Sequence, residues 1–325
     1  VKPLGLQNII EFPRPAPPPG MKQRRRAGRI IAVGGGKGGI GKTMVSANLG
    51  VALAAKGKRV VMVDADLGGA NLHTCLGVPQ PTVTLTDFLL RKVSKLEEVV
   101  VSAGLPNLSL IAGARDVLGA ANPKHQQKLK LLRNLQGLAA DYVVLDLGAG
   151  TSFNVLDFFL IADHGVVVLL PEPTSVENAY RFIKAAFFRR LQNVEDKYGI
   201  ADLLEQAGNG DEGAVRTPHE VVTRVKARDL ALGMKLEAEL GSFTARLVVN
   251  QSRSAADRDV GTAVVSAWKK FFGLSMDYLG AIGYDDEAWR AVRRRRPIVL
   301  ERPESEAAAG LLRVAENLLA LDSPG

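Results

Sequence analysis

Cysteine is almost missing: Cys75 stands alone in 325 residues. That excludes a disulfide or a cysteine-only metal site within the chain. A reduced, cytosolic setting is the expectation, with Cys75 read as a small core residue. Histidine is scarce too. His73, His125, His164 and His219 are scattered with no metal-ligand spacing. Long apolar runs are lacking. The longest, such as Val166–Leu170, have strand length, well short of the roughly 18–20 residues of a spanning helix. The first residues offer neither an apolar core nor a cleavage site, so no signal peptide is expected. There is no internal repeat.

Acid is nearly absent from the first thirty residues. Lys2, Arg14, Lys22, Arg24, Arg25, Arg26 and Arg29 face Glu11 alone, so this stretch holds most of the net charge of +8. It also contains Pro13, Pro15, Pro17, Pro18 and Pro19. Such composition predicts an extended, disordered arm over residues 1–29. Its basic cluster could touch anionic lipid or nucleic acid, or could serve as a solubilising leader.

What is present is a regular alternation. Ile30–Gly34, Val60–Asp64, Leu108–Ile111, Tyr142–Asp146, Gly165–Leu170, Arg246–Asn250 and Asp277–Ile282 read as short β-branched strands. Helical patterns lie between them. Lys42–Lys56 ends at Gly57. Lys124–Ala140 repeats Leu129, Leu132, Leu135 and Leu138. Val176–Arg189 follows, and Pro303–Leu321 closes the chain. Buried strands separated by helices predict an α/β fold, a doubly wound, mostly parallel sheet with helices on both faces. The domain expected over 30–325 carries a polar, helix-like insertion at about 190–244. The last helix has Arg313 beside Glu304, Glu306 and Glu316, so packing against the domain suits it better than lying on a membrane.

Gly36, Lys37, Gly38, Gly39, Ile40, Gly41, Lys42 and Thr43 match G-x-x-x-x-G-K-[ST] in full, between a strand and a helix. Glycines let backbone N–H groups curl around phosphate oxygens, and the helix N-terminus adds its positive end. Lys42 is placed for the β- and γ-phosphates and the Thr43 hydroxyl for Mg²⁺. Asp64, Asp66 and Asp146 end two strands at the carboxyl edge, where acids can hold Mg²⁺ or orient water. Asp87 precedes an apolar helix and reads as a cap.

The stretch GKGGIGKT, with Lys37 straight after its first glycine, resembles the deviant phosphate loop of the MinD/ParA ATPases. VDADLGGANLHTCLG is similar to their first switch region and DYVVLDLGAG to their second. The resemblance continues through PEPTSVENAYRFIK, RLVVN and LGAIGYDDEAWRAVRRRRPIVLERPESEAA, over about 30–190 and 246–320. DADLGGANL, EPTSVENAY and the GYDDEAWRAVRRRRPI ending place it nearest the FlhG/FleN branch, which controls flagellar number and placement.

The resemblance implies a P-loop ATPase of the SIMIBI class that binds ATP and Mg²⁺. It implies a homodimer when ATP is bound, and an activating protein whose identity is open. Lys37 would reach the partner subunit's phosphates. Thr43 and Asp146 would hold Mg²⁺, and Asp66 would position the attacking water. Asp64 would support the first switch, and Met44 would lie on the nucleotide. Asn250 would bond adenine, with Gly283, Tyr284 and Asp285 lining the base. A cytoplasmic protein, peripheral at the membrane or a cell pole, is the setting implied. The arm LGLQNIIEFPRPAP lacks the branch's DQAxxLR activator motif. The tail lacks the basic amphipathic helix, Gly283 replaces a common proline, and the insertion has no counterpart in short members. These departures bear on membrane cycling and partners, and they leave the nucleotide site intact.

Arg293–Arg296 reads either as a solvated helix end, favoured by the helix dipole, or as a DNA-contacting patch. Three functions follow. One is a dimerising ATPase switch of the MinD/FlhG type. Another is a ParA-like partition ATPase with non-specific DNA binding. The third is an ATP-dependent amidoligase on the same fold. The insertion has no Ser/His/Cys constellation to support that third reading, and the lone Cys75 argues against the iron–sulfur relatives.

Overall fold

The computed structural model describes residues 28–113, 125–198, 218–241, 243–272 and 275–322. Strands β1 (Arg29–Gly34), β2 (Val60–Ala65), β3 (Val100–Leu105), β4 (Leu108–Ile111), β5 (Tyr142–Leu147), β6 (His164–Leu169), β7 (Ala245–Ser252) and β8 (Met276–Gly283) form one sheet. The order is β3-β4-β2-β5-β1-β6-β7-β8. Every pairing is parallel except β3 with β4. β1 lies between β5 and β6, and its crossover to β2 passes over β5. Loops leaving the carboxyl ends there diverge and leave a crevice, the usual ligand position in open α/β sheets.

Helix α1 (Lys42–Ala55) follows β1, and α2 (Leu72–Cys75) and α3 (Leu85–Leu89) follow β2. Next come α4 (His125–Gln136), α5 (Phe153–Leu160), α6 (Pro173–Tyr198), α7 (Pro218–Arg228) and α8 (Leu230–Gly241). After β7 comes α9 (Ala255–Phe272), and after β8 come α10 (Asp286–Arg293), α11 (Ile298–Glu301) and α12 (Glu306–Leu321).

Alternation along the strands divides the interior. Ile30 and Ala32 of β1, with Val143, Leu145 and Leu147 of β5, join Phe88, Leu131, Phe158, Phe159 and Phe182 under α3–α6 and α9. Ile31 and Val33, with Val144, Val166 and Val168, join the residues of α1, α11 and α12 on the other face. α1 is apolar nearly all round and buried from Val45 to Ala54, as a helix between the sheet and a further helix must be. The doubly wound sheet with helices on both faces is therefore the observed architecture. No helix among the described residues is long and apolar enough to cross a membrane.

Some boundaries differ from expectation. α6 runs on to Tyr198, so the segment from about 190 starts as a continuation of that helix. Phe187 and Leu191 of α6 share a small core with Val221, Val225, Leu236 and Leu240 of α7 and α8. Residues 1–27 of the arm and 199–217 of the insertion lie outside the described residues. In α4 the buried face is Lys128, Leu131 and Leu135, while Leu129 is exposed. A strict three-residue leucine spacing drifts off one face of a 3.6-residue helix, and the inward-turned Lys128 fixes the actual face. α12 starts at Glu306, because the Ser305 side chain caps it by accepting from Ala308 N–H. Thr84 and Asp87 form a capping box on α3, the structural reading of that acid.

Candidate functional site at the carboxyl edge of the sheet

The loop between β1 and α1 is fixed from below. Ile40 is buried, and its carbonyl accepts a 2.8 Å hydrogen bond from Asn250 Nδ2 at the end of β7. Gly41 has φ +87°, and a side chain there would run into the Asn250 amide. Both constraints require glycine. Lys42 opens α1 almost buried, and its Nζ donates to the Lys37 carbonyl at 3.2 Å. Burial lowers its pKa, opposed by Asp146 and Asp66.

Parallel pairing sets Asp64 of β2 beside Asp146 of β5, and both are fully buried. Asp64 accepts from Leu72 N–H at 2.9 Å and Asp66 N–H at 3.2 Å, closing the loop between β2 and α2. Asp146 accepts from Ser46 Oγ at 2.8 Å, and the Thr43 hydroxyl lies near enough to favour its charged form. Burial, then the neighbouring Asp146, pushes Asp64 up to about 7. Burial likewise pushes Asp146 up to about 6 against the Ser46 and Thr43 hydroxyls. Asp66 is half-buried and accepts from Gly68 N–H at 3.2 Å. A side chain at Gly148 would lie 3.0 Å from Asp66 Oδ1. The segments after β2 and β5 thus meet at this carboxylate.

A cleft of about 850 Å³ opens above. Gly38, Gly39, Gly41, Lys42, Thr43, Met44, Asp66, Asn250, Gly283, Tyr284 and Asp285 line it. Gly36, Lys37, Ile40, Asp64 and Asp146 are not among the lining residues. Gly36 packs against the Asn178 backbone, Ile40 and the two acids lie buried beneath, and Lys37 is exposed. Lys37 forms no ion pair among the described residues. Asn250 has one amide hydrogen on Ile40 and its oxygen on Gln251 N–H. One hydrogen and one lone pair remain. Asp285 caps α10 through Glu287 N–H at 2.8 Å. The Arg253 guanidinium stacks 3.7 Å over the Tyr284 ring.

The sequence reading missed several residues here. Trp289 is 61% exposed and lines the cleft with Ala288 and Val292. Their spacing, an apolar stripe on an otherwise charged helix, was the available signal. Ser46 sits about one turn beyond Thr43 on α1, which could have flagged its bond to Asp146. Cys75 is half-buried: it packs against the core on the α1 side, as expected, and also lines the cleft. Its thiol is pushed up to about 11 by burial and the nearby Asp146 and Asp64. Of the four arginines, Arg294 pairs with Glu287 and Glu301, and Arg293 lies over Trp289. Among the described residues, no cluster of three or more His, Cys, Asp or Glu could hold a metal.

A family model described as an AAA domain matches residues 28–198, just over half the chain. The antiactivator FleN of Pseudomonas aeruginosa is 27% identical over 293 residues, covering 89% of this chain and 86% of FleN. The flagellum site-determining protein YlxH of Helicobacter pylori is 31% identical over 205 residues, 62% of this chain and 66% of YlxH. Among solved structures, the septum site-determining protein MinD of Pyrococcus horikoshii, complexed with Mg-ADP, superposes with a TM-score of 0.61 at 24% identity. That superposition covers 91% of this chain and 97% of MinD. By sequence the chain belongs to the AAA domain family AAA_31, and by structure it has the fold of the MinD ATPases.

Proposed function

We propose that the chain is a MinD/ParA-type ATPase that binds Mg·ATP in this cleft, hydrolyses it slowly and dimerises while it is bound. It acts as a positioning switch of the FlhG/FleN kind, and its hydrolysis is stimulated by a partner protein. The carrying observation is the division of labour between two lysines on one loop. Lys42 lines the cleft, whereas Lys37 is exposed outside it and forms no ion pair among the described residues. A lysine that serves its own site gains nothing from exposure. One that crosses to a partner's phosphates needs it, and would act as an arginine finger does.

The residues fit the nucleotide. The loop presents backbone N–H groups around a glycine-lined bend at the α1 N-terminus. Of the two buried carboxylates, Asp146 has Lys42 as a nearby cation, whereas the charge beside Asp64 is that of Asp146 itself, an imbalance that a divalent cation would relieve. With no all-protein cage among the described residues, the site suits Mg²⁺, which takes one or two protein ligands plus phosphate oxygens. When bound, Mg·ATP would supply the phosphoryl group and the charge neutralisation for hydrolysis.

Thr43 and Asp146 would hold the ion, directly or through water, with Ser46 fixing the Asp146 carboxylate. Asp66, between the two switch segments, would orient the attacking water. Asp64 would hold the first switch closed through Leu72. Tyr284, Asp285, Trp289 and the free valences of Asn250 would receive the base. FleN and YlxH, an antiactivator and a flagellum site-determining protein, support the positioning role. The many Arg–Glu pairs around Arg293–Arg296 weigh against a DNA-riding partition protein.

Light scattering on Asp66→Ala protein, with and without Mg·ATP, tests this reading. We expect an ATP-dependent dimer, lost on adding Lys37→Ala while ATP still binds. A monomer with ATP bound would show that Lys37 has no role across an interface.

A further inference from the structure

Behind the nucleotide cleft lies a second, smaller groove of about 420 Å³. Leu76, Ala103, Leu105, Pro297 and Leu300 give it apolar walls, and Arg294–Arg296 border it. The charges there are unequal in their commitments. Arg290, Arg294 and Arg302 are paired with Glu287, Glu301 or Glu304. Arg295 and Arg296 are exposed and form no ion pair among the described residues. Arg295 is also held in an unusual backbone conformation, φ +55°, which disfavours a non-glycine residue. Its carbonyl presses on Gly77, where any side chain would collide. The segment after α2 and the segment after α10 thus lie in close backbone contact.

We infer that this groove is a docking site for an extended, acidic protein segment with apolar anchors, supplied by a partner. Two free guanidiniums beside an apolar trough match carboxylates flanking an aliphatic side chain, since arginine binds carboxylates in bidentate fashion. Duplex DNA fits less well. It needs a broad field of unpaired cations, and here the glutamates neutralise the surroundings.

The groove and the cleft share their walls. Asn71 and Cys75 at α2 line the cleft, and Leu76 and Gly77 just beyond line the groove. Trp289 and Val292 of α10 line the cleft, and the arginines that follow line the groove. α2 is in turn tied to Asp64 through Leu72 N–H. A segment bound in the groove therefore biases the loop between β2 and α2, and linkage requires nucleotide to change the segment's affinity by the same factor. This coupling, but not the docking itself, rests on the nucleotide reading above.

Fluorescence anisotropy on the full chain tests the inference, with a fluorescein-labelled peptide of alternating glutamate and leucine and its lysine–leucine counterpart. The expected result is saturable binding of the acidic peptide only. Affinity should fall at least about tenfold in Arg295→Ser/Arg296→Ser, the scale of losing charge-assisted pairs. Leu105→Glu keeps both arginines but sets a carboxylate in the trough, and it should weaken binding comparably. Unchanged ATP binding by each variant shows that the fold survives. Mg·ATP should shift peptide affinity by roughly fivefold or more. Equal binding by wild type and both variants would overturn the site. So would duplex DNA or anionic vesicles displacing the peptide at equal charge concentration. Peptide binding unmoved by ATP, in protein that demonstrably binds ATP, would overturn the coupling alone. Failure to bind ATP at all would instead fault the functional reading and leave the groove standing.

Discussion

Asn250 joins residues 210 positions apart through its bond to the Ile40 carbonyl. The glycines of the loop were legible because their spacing is a motif with a mechanism. The strut beneath them was not, since a strand-ending asparagine carries no local sign of what it will touch. Asn250→Ala leaves the buried Ile40 carbonyl without this donor. We expect a loss of about 1–3 kcal/mol, measured by urea unfolding of the nucleotide-free protein. Gly41→Ala tests the same contact from the loop side. With φ +87° and the Asn250 amide in the way, strain of about 1–2 kcal/mol should displace the loop. ATP affinity, read by calorimetry, should fall about tenfold or more, since roughly 1.4 kcal/mol is a factor of ten.

At the scale of elements, α4, α5 and α6 are joined by one buried charge cluster. Asp157 of α5 accepts from Arg189 Nε of α6 at 2.8 Å and also bonds Lys128 of α4. The central strands were plain in the sequence, because continuous β-branched runs have few other uses. The facing of α4 was not, because an inward lysine contradicts the apolar pattern unless its distant acid is known. β3, the antiparallel edge strand, escaped for a different reason: VVSAGL contains a glycine at φ +75° and an irregular register, which break the strand pattern. Asp157→Ala leaves Lys128 buried without its partner, and a loss of about 3–5 kcal/mol is expected. Burial pushes the Asp157 carboxyl up, but Arg189 and Lys128 outweigh it and hold it below the usual range. Its stabilisation is therefore complete above the ordinary carboxylate pKa and lost as pH falls through the depressed value. Asp157→Asn should flatten that acid limb in pH-dependent urea titrations.

Across the whole molecule, the amino edge of the sheet is closed by Asp322, the residue capping the end of α12. His164 Nε2 lies 3.0 Å from it, Tyr142 donates to it at 2.9 Å, and Arg29 approaches at 3.4 Å. The first strand, the middle of the sheet and the last helix thus meet at one carboxylate, far along the chain from each partner. Burial holds the His164 pKa below its ordinary value, and the attraction of Asp322 does not overcome it. The unfolded chain then takes up the proton first as pH falls. Stability should drop from about pH 6.5 downward, until the folded pKa is passed, by at most about 1.4 kcal/mol per pH unit. Asp64 and Asp146 act in the opposite sense. Their pKa values, raised to about 7 and about 6, mean that the nucleotide-free protein gains stability as pH falls through those values. The raw pH profile mixes the two trends, so the informative quantity is a difference. Wild type minus His164→Gln, followed by urea unfolding without nucleotide from about pH 7.5 to about 5.5, should slope toward lower relative stability at acid pH. A flat difference would mean that His164 titrates alike in both states and that burial does not govern it.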